Sequence, residues 1–383
     1  MSAEHDSAQD RILDDDTLDL TLEGVDLVEV PKISLHDHLD GGLRPETIVE
    51  LADQAGLELP VDDPEELGDW FADSADSGDL IAYLKTFDQT VGVMQTADSL
   101  ARVAREFVED SVDDGIIYVE ARWAPEQHLA GGLTPEAAVE AVAAGFEEGM
   151  RDAAERGFQI EANQIVTALR HNDRSLEMAK LAVRYRDAGV VGFDLAGPEK
   201  GFLPSRHQEA LDYLARSFFP TTVHAGEADG LDSIVSALID GRALRLGHGT
   251  HLVDDIQLID EGDDSDEVLA VLGDVAAWVR DRGIVLETNP SSNLQTGAFA
   301  GPFDEHPLDL LYQLDFRVTV NVDNRLQSNT TLTEEFARVA QAFDYGLDDL
   351  AVLTLNAAEG SFLPATDRQD LADRVIAFYD DLD

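Results

Sequence analysis

The segment SLHDHLDG, residues 34–41, carries two histidines one residue apart at the end of an apolar run. If that run forms a β-strand, His36 and His38 project from the same face, because side chains alternate along a strand. Neutral imidazoles are the commonest metal ligands in proteins. Two of them side by side predict part of a metal site.

Other apolar runs also end in polar residues with useful chemistry. His224 and Glu227 follow one run, His248 follows the next, and Asp323 and Asn324 follow the last. The set His36, His38, His224 and Asp323 supplies three imidazoles and one carboxylate, which suits zinc with an open position for water. A metal of this kind lowers the pKa of water from 15.7 to about 7, so it creates a nucleophile at neutral pH.

Two further residues could move protons at this site. Glu227 lies three residues after His224, and His248 could orient or deprotonate the attacking water. We therefore expect metal-assisted attack of water on an electrophilic carbon.

Other polar residues are expected to have structural roles. Asp194, at another strand end, is expected to hydrogen-bond the neighbouring backbone, and His251 is expected to be a loop residue whose hydrogen bonds are made locally. The remaining histidines are expected at the surface: His5, His128, His171, His207 and His306.

The spacing of apolar residues predicts the elements that carry these side chains. Short β-branched runs alternate with longer helical patterns, such as residues 263–283, which is typical of an α/β chain with a parallel sheet. Eight such runs predict a (β/α)8 TIM barrel in a single domain, residues 1–383, whose site lies at the C-terminal ends of the strands. The predicted strands are 32–38, 115–125, 158–166, 190–197, 221–226, 243–249, 283–293 and 316–324. We also expect an acidic N-terminal extension at about residues 1–25 and a helical lid after the first strand at about residues 57–96.

Composition excludes several classes of site and partner. The chain has no cysteine, so disulfides, iron–sulfur clusters and thiolate zinc sites are ruled out. Its net charge of −53 disfavours binding to nucleic acid or anionic membrane. No basic-then-apolar signal segment opens the sequence, and we expect a cytoplasmic protein. Because the acids are spread along the chain, a high-salt cytosol is the simplest setting.

Six segments in order resemble the motifs of the adenosine deaminase family. They are LHDHLDGGLRPET, GFDLAGPE, VHAGE, RLGHGTHL, ETNPSSNLQTG and VNVDNRL. The resemblance runs from about Lys32 to the C-terminal helices. It implies a cytosolic enzyme of purine salvage that converts adenosine, and 2′-deoxyadenosine, to the inosine nucleoside and ammonia, with one zinc ion per chain.

The resemblance also implies roles for individual residues. His36, His38, His224 and Asp323 would hold zinc, Glu227 would protonate purine N1, and His248 would act on the water that attacks C6. Asp40 would bind the ribose 5′-hydroxyl, and the backbone N–H of Gly197 would meet N3. Residues 57–96 would form the lid over the pocket.

One position departs from the common pattern of the family. Asp323 is usually followed by a second aspartate and a proline, whereas this chain reads Asp323-Asn324-Arg325, similar to actinobacterial-type adenosine deaminases. A second aspartate must carry a proton to donate to purine N7, whereas Asn324 has N–H donors at any pH. Two alternatives stay open: a deaminase of another 6-aminopurine, such as adenine or a modified adenosine, and a catalytically inactive zinc-binding relative. The sequence leaves the oligomeric state open.

The charge of −53 generates a prediction about salt. Self-repulsion destabilises the compact state until ions screen it, and the Debye length falls from about 10 Å at 0.1 M to about 3 Å at 1 M salt. The melting temperature should therefore rise steeply between about 0.1 and 2 M KCl. A flat melting profile across that range would contradict salt adaptation.

Overall fold

The computed structural model describes residues 18–260 and 268–382. Its centre consists of two four-stranded parallel sheets, in the orders β1-β2-β3-β4 and β8-β7-β6-β5. The strand bounds are β1 Lys32–His38, β2 Ile116–Trp123, β3 Glu161–Leu169, β4 Val190–Ala196, β5 Thr222–Ala225, β6 Arg245–His248, β7 Val285–Thr288 and β8 Val318–Val320.

Two parallel bridges join the sheets into one closed barrel. Phe193 pairs with Thr221 between β4 and β5, and Asp37 pairs with Asp323 between β1 and the end of β8. At the second junction the backbone N–H of His38 donates to Asp323 O at 2.8 Å, and Asp323 N–H donates to His36 O at 3.0 Å. The predicted (β/α)8 barrel is confirmed, and its closing seam lies among the predicted metal ligands.

Helices pack around the strands of the barrel. Those long enough to pack against it present an apolar face to the strands, as in the helix 97–113, whose buried side chains recur at three- and four-residue spacing. The helices are α1 Pro45–Ala55, α2 Pro64–Ala75, α3 Leu80–Leu84, α4 Phe87–Val93, α5 Ala97–Asp113, α6 Pro135–Glu155, α7 Ser175–Arg184, α8 Gln208–Arg216, α9 Leu231–Ile239, α10 Asp274–Arg282, α11 Pro290–Gln295, α12 Pro307–Gln313, α13 Arg325–Ser328, α14 Leu332–Phe343, α15 Leu347–Gly360 and α16 Ala365–Asp380.

Three sequence predictions about the elements are corrected here. The seventh run ends as a strand at Thr288, because Pro290 starts helix α11, so Asn293 lies on a helix and not at a strand end. The third strand begins and ends three residues later than predicted. The apolar run 268–272, expected to be helical, pairs antiparallel with Ile256–Asp260 as a hairpin outside the barrel.

The two insertions have different structures. Part of the predicted N-terminal extension, Thr21–Leu22 with Val25–Asp26, forms a short hairpin; residues 1–17 lie outside the described part of the chain. The predicted lid segment contains α2, α3 and α4. In the described ranges we find no helix whose length and hydropathy would let it cross a membrane.

Asn321 supports the barrel where the β1–β8 pairing is sparse. Its Oδ1 accepts from the backbone N–H groups of Leu35 and His36 at 2.9 and 3.1 Å. Its Nδ2 donates to Thr288 O at 3.2 Å and Thr319 Oγ1 at 3.0 Å. One fully buried amide therefore links β1, β7 and β8 beside the predicted site.

Replacing Asn321 by Ala should destabilise the barrel strongly. Two buried N–H groups of β1 would lose their acceptor, at about 1–3 kcal/mol for each unsatisfied group. We expect the free energy of unfolding in denaturant to fall by about 2–5 kcal/mol. Gln369→Ala on the exposed face of α16 is the control, with an expected change within about 0.5 kcal/mol. A loss at Asn321 no larger than at the control would contradict this role.

Candidate metal and catalytic site

Five predicted side chains converge at the C-terminal end of the barrel. The nitrogen and oxygen ligand atoms of four buried residues, His36, His224, His248 and Asp323, lie within 4.8 Å of one another. His38 belongs to the same cluster, because its Nε2 lies 3.3 Å from His224 Nε2 and 3.4 Å from Asp323 Oδ1. The structure thus brings together the predicted ligands and His248.

Carboxylates behind two of the histidines fix which ring nitrogen is free. His36 Nδ1–H donates to Glu287 Oε2 at 3.0 Å, and His224 Nδ1–H donates to Asp194 Oδ1 at 3.1 Å. In both rings the Nε2 lone pair is therefore left to face the cluster, the arrangement typical of metal-ligating histidines. His36 Nε2 is buried and has no hydrogen-bond partner in the described part of the chain.

The separations between these atoms fit a metal ion. Ligand atoms at about 2.0–2.1 Å from a tetrahedral centre lie about 3.3–3.4 Å apart. The observed separations are 3.3 Å for His38 Nε2 to His224 Nε2, 3.4 Å for His38 Nε2 to Asp323 Oδ1, and 3.1 Å for His36 Nε2 to Asp323 Oδ1. Nitrogen lone pairs this close repel unless a cation lies between them, so the donor set fits a divalent metal.

The backbone at two of these residues is strained. His248 has φ of 66° and Asp323 has φ of 62°, a region that non-glycine residues seldom adopt. Such strain persists where the surrounding structure fixes it and is common at functional sites. Asp323 is further fixed by Ser292, whose hydroxyl donates to Asp323 Oδ2 at 2.6 Å.

Burial and a neighbouring charge prepare Glu227 as a proton donor. Burial raises the pKa of Glu227 well above its usual range, and the charges of Asp323 and Glu199 raise it further. Its Oε2 lies 3.8 Å from His248 Nε2. The environment of Glu227 therefore favours its protonated form, and its carboxyl lies beside the cluster.

Glu199 positions the loop that carries Glu227. Its carboxylate accepts four backbone N–H groups after β5, those of residues 226, 227, 228 and 229, at 2.6–3.1 Å. Glu199 is itself buried, so these donors replace the water that an ionised carboxylate needs. One carboxylate thus orders the loop and places a negative charge beside Glu227.

A small cavity lies between the cluster and the helical insertion. It has a volume of about 40 Å³, and Gly197 and Asn324 line it together with His38, His224, Glu227, His248 and Asp323. Ala196 and four apolar or aromatic residues of the insertion complete the lining: Leu80, Tyr83, Leu84 and Phe87. Sites for drug-sized ligands are typically about 300–1,000 Å³. The cavity is therefore smaller than such a site.

Asp40 lies beside the cluster, outside that lining. Its Oδ1 is 3.8 Å from His38 Nδ1, and this buried oxygen has no hydrogen-bond partner among the described residues. Burial raises the pKa of Asp40 to about 7. The side chain is an available hydrogen-bonding group at the edge of the site.

The aspartate between the two histidines has a structural partner. Arg325 donates to Asp37 Oδ2 through Nε at 2.8 Å and Nη2 at 2.7 Å, and its guanidinium lies 4.4 Å from the Phe107 ring centroid. Burial raises the pKa of Asp37 to about 6, while Arg325 opposes that shift. This pair ties β1 to α13, directly after the unusual Asn324.

Several functional side chains were missed or misplaced by the sequence analysis. Asp194, expected to bond backbone, instead accepts from His224. Glu287, Glu199 and Arg122 were not singled out. Three histidines expected at the surface, His128, His207 and His306, are buried; His5 lies outside the described residues. A carboxylate within or just after an otherwise apolar strand was the available signal for Glu287 and Glu199.

Comparison with known sequences gives a consistent result. The family model described as adenosine deaminase matches residues 31–378. Adenosine deaminase 1 of Streptomyces coelicolor is 53% identical over 347 residues, covering 90% of this chain and 86% of that protein. Adenosine deaminase of Mycobacterium sp. strain JLS is 51% identical over 361 residues, covering 94% and 97%.

Solved structures of lower identity share the fold. Adenine deaminase from Arthrobacter aurescens aligns with a TM-score of 0.76 at 24% identity, covering 92% of this chain and 99% of that one. N6-methyl-AMP deaminase from Arabidopsis thaliana aligns with a TM-score of 0.74 at 23% identity, covering 92% and 97%. At this identity the alignments establish the barrel architecture alone.

The donor geometry predicts a bound transition-metal ion. Elemental analysis of dialysed protein should find about one ion per chain, because only one set of converging donors is seen in the described ranges. His38→Ala should lower that content, whereas His251→Ala, which removes a half-buried histidine paired with Asp254, should not. Wild-type protein without bound metal, or equal content in both variants, would contradict the assignment.

Proposed function

The chain belongs to the adenosine deaminase family, and we propose that it hydrolyses adenosine, and 2′-deoxyadenosine, to the inosine nucleoside and ammonia. Support for this substrate comes from relatives about half identical over nine-tenths of the chain, each named an adenosine deaminase. The proposal places the enzyme in purine salvage, in a high-salt cytosol.

Zinc is the proposed cofactor, held by His36, His38, His224 and Asp323. Three imidazoles and one carboxylate are borderline donors of the kind zinc prefers, and they leave a position for water. Bound there, zinc would supply a water molecule whose pKa is near 7.

The chain's own residues account for the remaining chemistry. Protonated Glu227 would donate to purine N1, which makes C6 more electrophilic towards water. Water adds its oxygen to C6 and the C6–N6 bond breaks. Of the two protons that water loses, one leaves with the amino group as ammonia and the other restores the proton that Glu227 gave to N1. Burial of Glu227, together with the charges of Asp323 and Glu199, raises its pKa and so favours the form that can donate this proton.

Three residues are proposed to bind the nucleoside. Asp40 would bind the ribose 5′-hydroxyl through its free Oδ1, and the backbone N–H of Gly197 would donate to N3. Asn324, which lines the cavity, would donate its amide N–H to N7. The segment 57–96 would act as the lid, because four of its side chains line the small cavity beside the metal donors.

Two other readings predict different results. A deaminase of adenine or of a modified adenosine would share the metal site but would have no use for Asp40 if its substrate lacked ribose. A catalytically inactive zinc-binding relative would need neither the buried, protonated Glu227 nor its support by Glu199. The site retains both features, which favours an active nucleoside deaminase.

The observation that carries the proposal is the buried Glu227 carboxyl, whose pKa is raised, beside one set of metal donors. A panel of adenosine, 2′-deoxyadenosine, adenine and N6-methyladenosine in molar KCl, followed by ammonia or methylamine release, tests it. Adenosine should give the highest kcat/KM. Preference for the free base or the methylated nucleoside would replace this assignment, and no turnover on any substrate would favour the inactive relative.

Glu227→Gln should abolish proton delivery and leave the metal bound. A glutamine has the shape of the protonated carboxyl but no acidic proton, so we expect a loss in kcat of about 10²- to 10⁴-fold. In the wild type, kcat should fall as the pH rises through the raised pKa of Glu227, because the deprotonated form cannot donate. Near-wild-type turnover with unchanged metal content would contradict the mechanism.

Asn324→Ala tests the contact with N7. An unpaired acceptor costs about 1–3 kcal/mol, so kcat/KM for adenosine should fall by about 5- to 150-fold. With 7-deazaadenosine, which has carbon at position 7, the same variant should lose much less. Rates for both substrates on both proteins form a double cycle that isolates the contact. Equal losses in kcat/KM on the two substrates would show that Asn324 shapes the loop and does not contact N7 of the base.

A further inference from the structure

Two side-chain amides contact the Nδ1 atom of the His248 ring. Its Nδ1 lies 2.8 Å from the side-chain amide nitrogen of Asn293 and 3.2 Å from that of Asn289. Amide and imidazole atoms can be assigned in more than one way, so the direction of each bond has to be established from its neighbours. A backbone N–H, which can only donate, and a backbone carbonyl, which can only accept, each establish these directions independently.

The first anchor is a backbone N–H at the start of α12. Leu308 N–H donates to His306 Nδ1 at 3.1 Å, so His306 Nδ1 is an acceptor. Burial lowers the pKa of His306 to about 3, so the ring is neutral and carries its proton on Nε2. His306 Nε2–H must then donate to Asn293, and the atom it meets at 3.2 Å is Oδ1.

This fixes the orientation of the Asn293 amide. Its Oδ1 also accepts from the Thr250 hydroxyl at 3.0 Å, which agrees with its acceptor role towards His306 Nε2–H. The Nδ2 atom is consequently the one that faces His248 Nδ1. Asn293 donates there, and His248 Nδ1 is an acceptor.

The second anchor is a backbone carbonyl. Asn289 Nδ2 lies 3.0 Å from Glu287 O, which can only accept, so that amide atom is a donor. The same nitrogen faces His248 Nδ1 at 3.2 Å. Two chains of hydrogen bonds that start from different backbone groups therefore reach the same result.

From this geometry we infer that Asn293 and His306 are positioning residues, which hold His248 in the tautomer that presents Nε2–H to the reacting oxygen. The inference rests on the proposed function for the identity of that oxygen. It also selects between the two roles expected for His248, because a nitrogen that carries a proton neither binds metal nor accepts a proton. His248 orients and stabilises the oxygen by donation.

The tautomer can be measured directly by nitrogen NMR. In metal-loaded wild-type protein labelled with ¹⁵N-histidine, the resonances lost in His248→Gln identify His248, and their shifts should report protonated Nε2 and unprotonated Nδ1. Asn293→Asp replaces the donor with a carboxylate of the same shape. It should place a proton on His248 Nδ1, as the other tautomer or as the imidazolium.

Kinetics provide the second readout. Asn293→Asp should lower kcat by about 100-fold or more with little change in KM, because His248 contacts the reacting oxygen and not the base or ribose. His306→Phe, whose ring would pack between Phe299 and Phe303, removes the donor that orients Asn293 and should also lower kcat. His306→Gln keeps a donor and should restore most of that loss.

Three results would overturn the inference. They are a wild-type His248 with its proton on Nδ1, an Asn293→Asp protein with an unchanged tautomer, and equal kcat in the Phe and Gln variants at position 306. The NMR arm needs no substrate. If adenosine is not turned over but Asn293→Asp changes the His248 tautomer as expected, the proposed function fails. The inference that Asn293 and His306 fix that tautomer is then still supported.

Discussion

A single carboxylate inside the barrel, that of Glu287, organises the metal-binding face. It is fully buried, so its charge has to be met by the protein. Arg122 Nη2 and Arg245 Nε donate to it at 2.7 and 2.5 Å, Thr222 adds a hydroxyl at 3.0 Å, and His36 adds its ring N–H. Although burial opposes ionisation, the two arginines hold the pKa of Glu287 well below its usual range. Five strands thus meet at one ionised group, and one of its partners is a predicted metal ligand.

The same rule of pairing each buried charge explains the rest of the site. Asp194 stays ionised despite its burial because His224 and Arg122 lower its pKa, and it can therefore orient His224. The Glu199 carboxylate accepts four backbone N–H groups, and its charge adds to the burial and the Asp323 charge that raise the pKa of Glu227. Buried carboxylates of this site thus have pKa values shifted in opposite directions by their different surroundings.

The barrel and the cluster could be predicted because both follow from local pattern. Residues at the ends of apolar runs meet at one edge of a parallel sheet, so His36, His224 and Asp323 were found without any knowledge of their contacts. The supporting residues depend on distant pairs that no spacing encodes. Glu287 lies 251 positions from His36, and nothing near it in the sequence indicates that contact.

The errors have similar physical causes. Asn293 was placed on a strand because the predicted strand was extended through Pro290 to residue 293. The chain instead forms a helix from Pro290, and the Asn293 amide lies against His248. His306 was assigned to the surface because a lone histidine in a polar stretch carries no signal of burial. The run 268–272 was read as part of a helix, since a short apolar run fits either the helical or the strand period; its pairing with residues 256–260 makes it a strand.

The most direct measurement of this account is the metal affinity of Glu287→Gln, determined by competition with a chelator in protein shown to be folded. Loss of the carboxylate behind His36 should weaken metal binding by about 10- to 100-fold, as expected for a residue that orients a ligand. Glu335→Gln is the matched control, because that buried glutamate pairs with Arg338 at 2.9 Å and contacts no predicted ligand. Equal affinity in wild type, Glu287→Gln and the control would contradict the claim that the buried carboxylate organises the site.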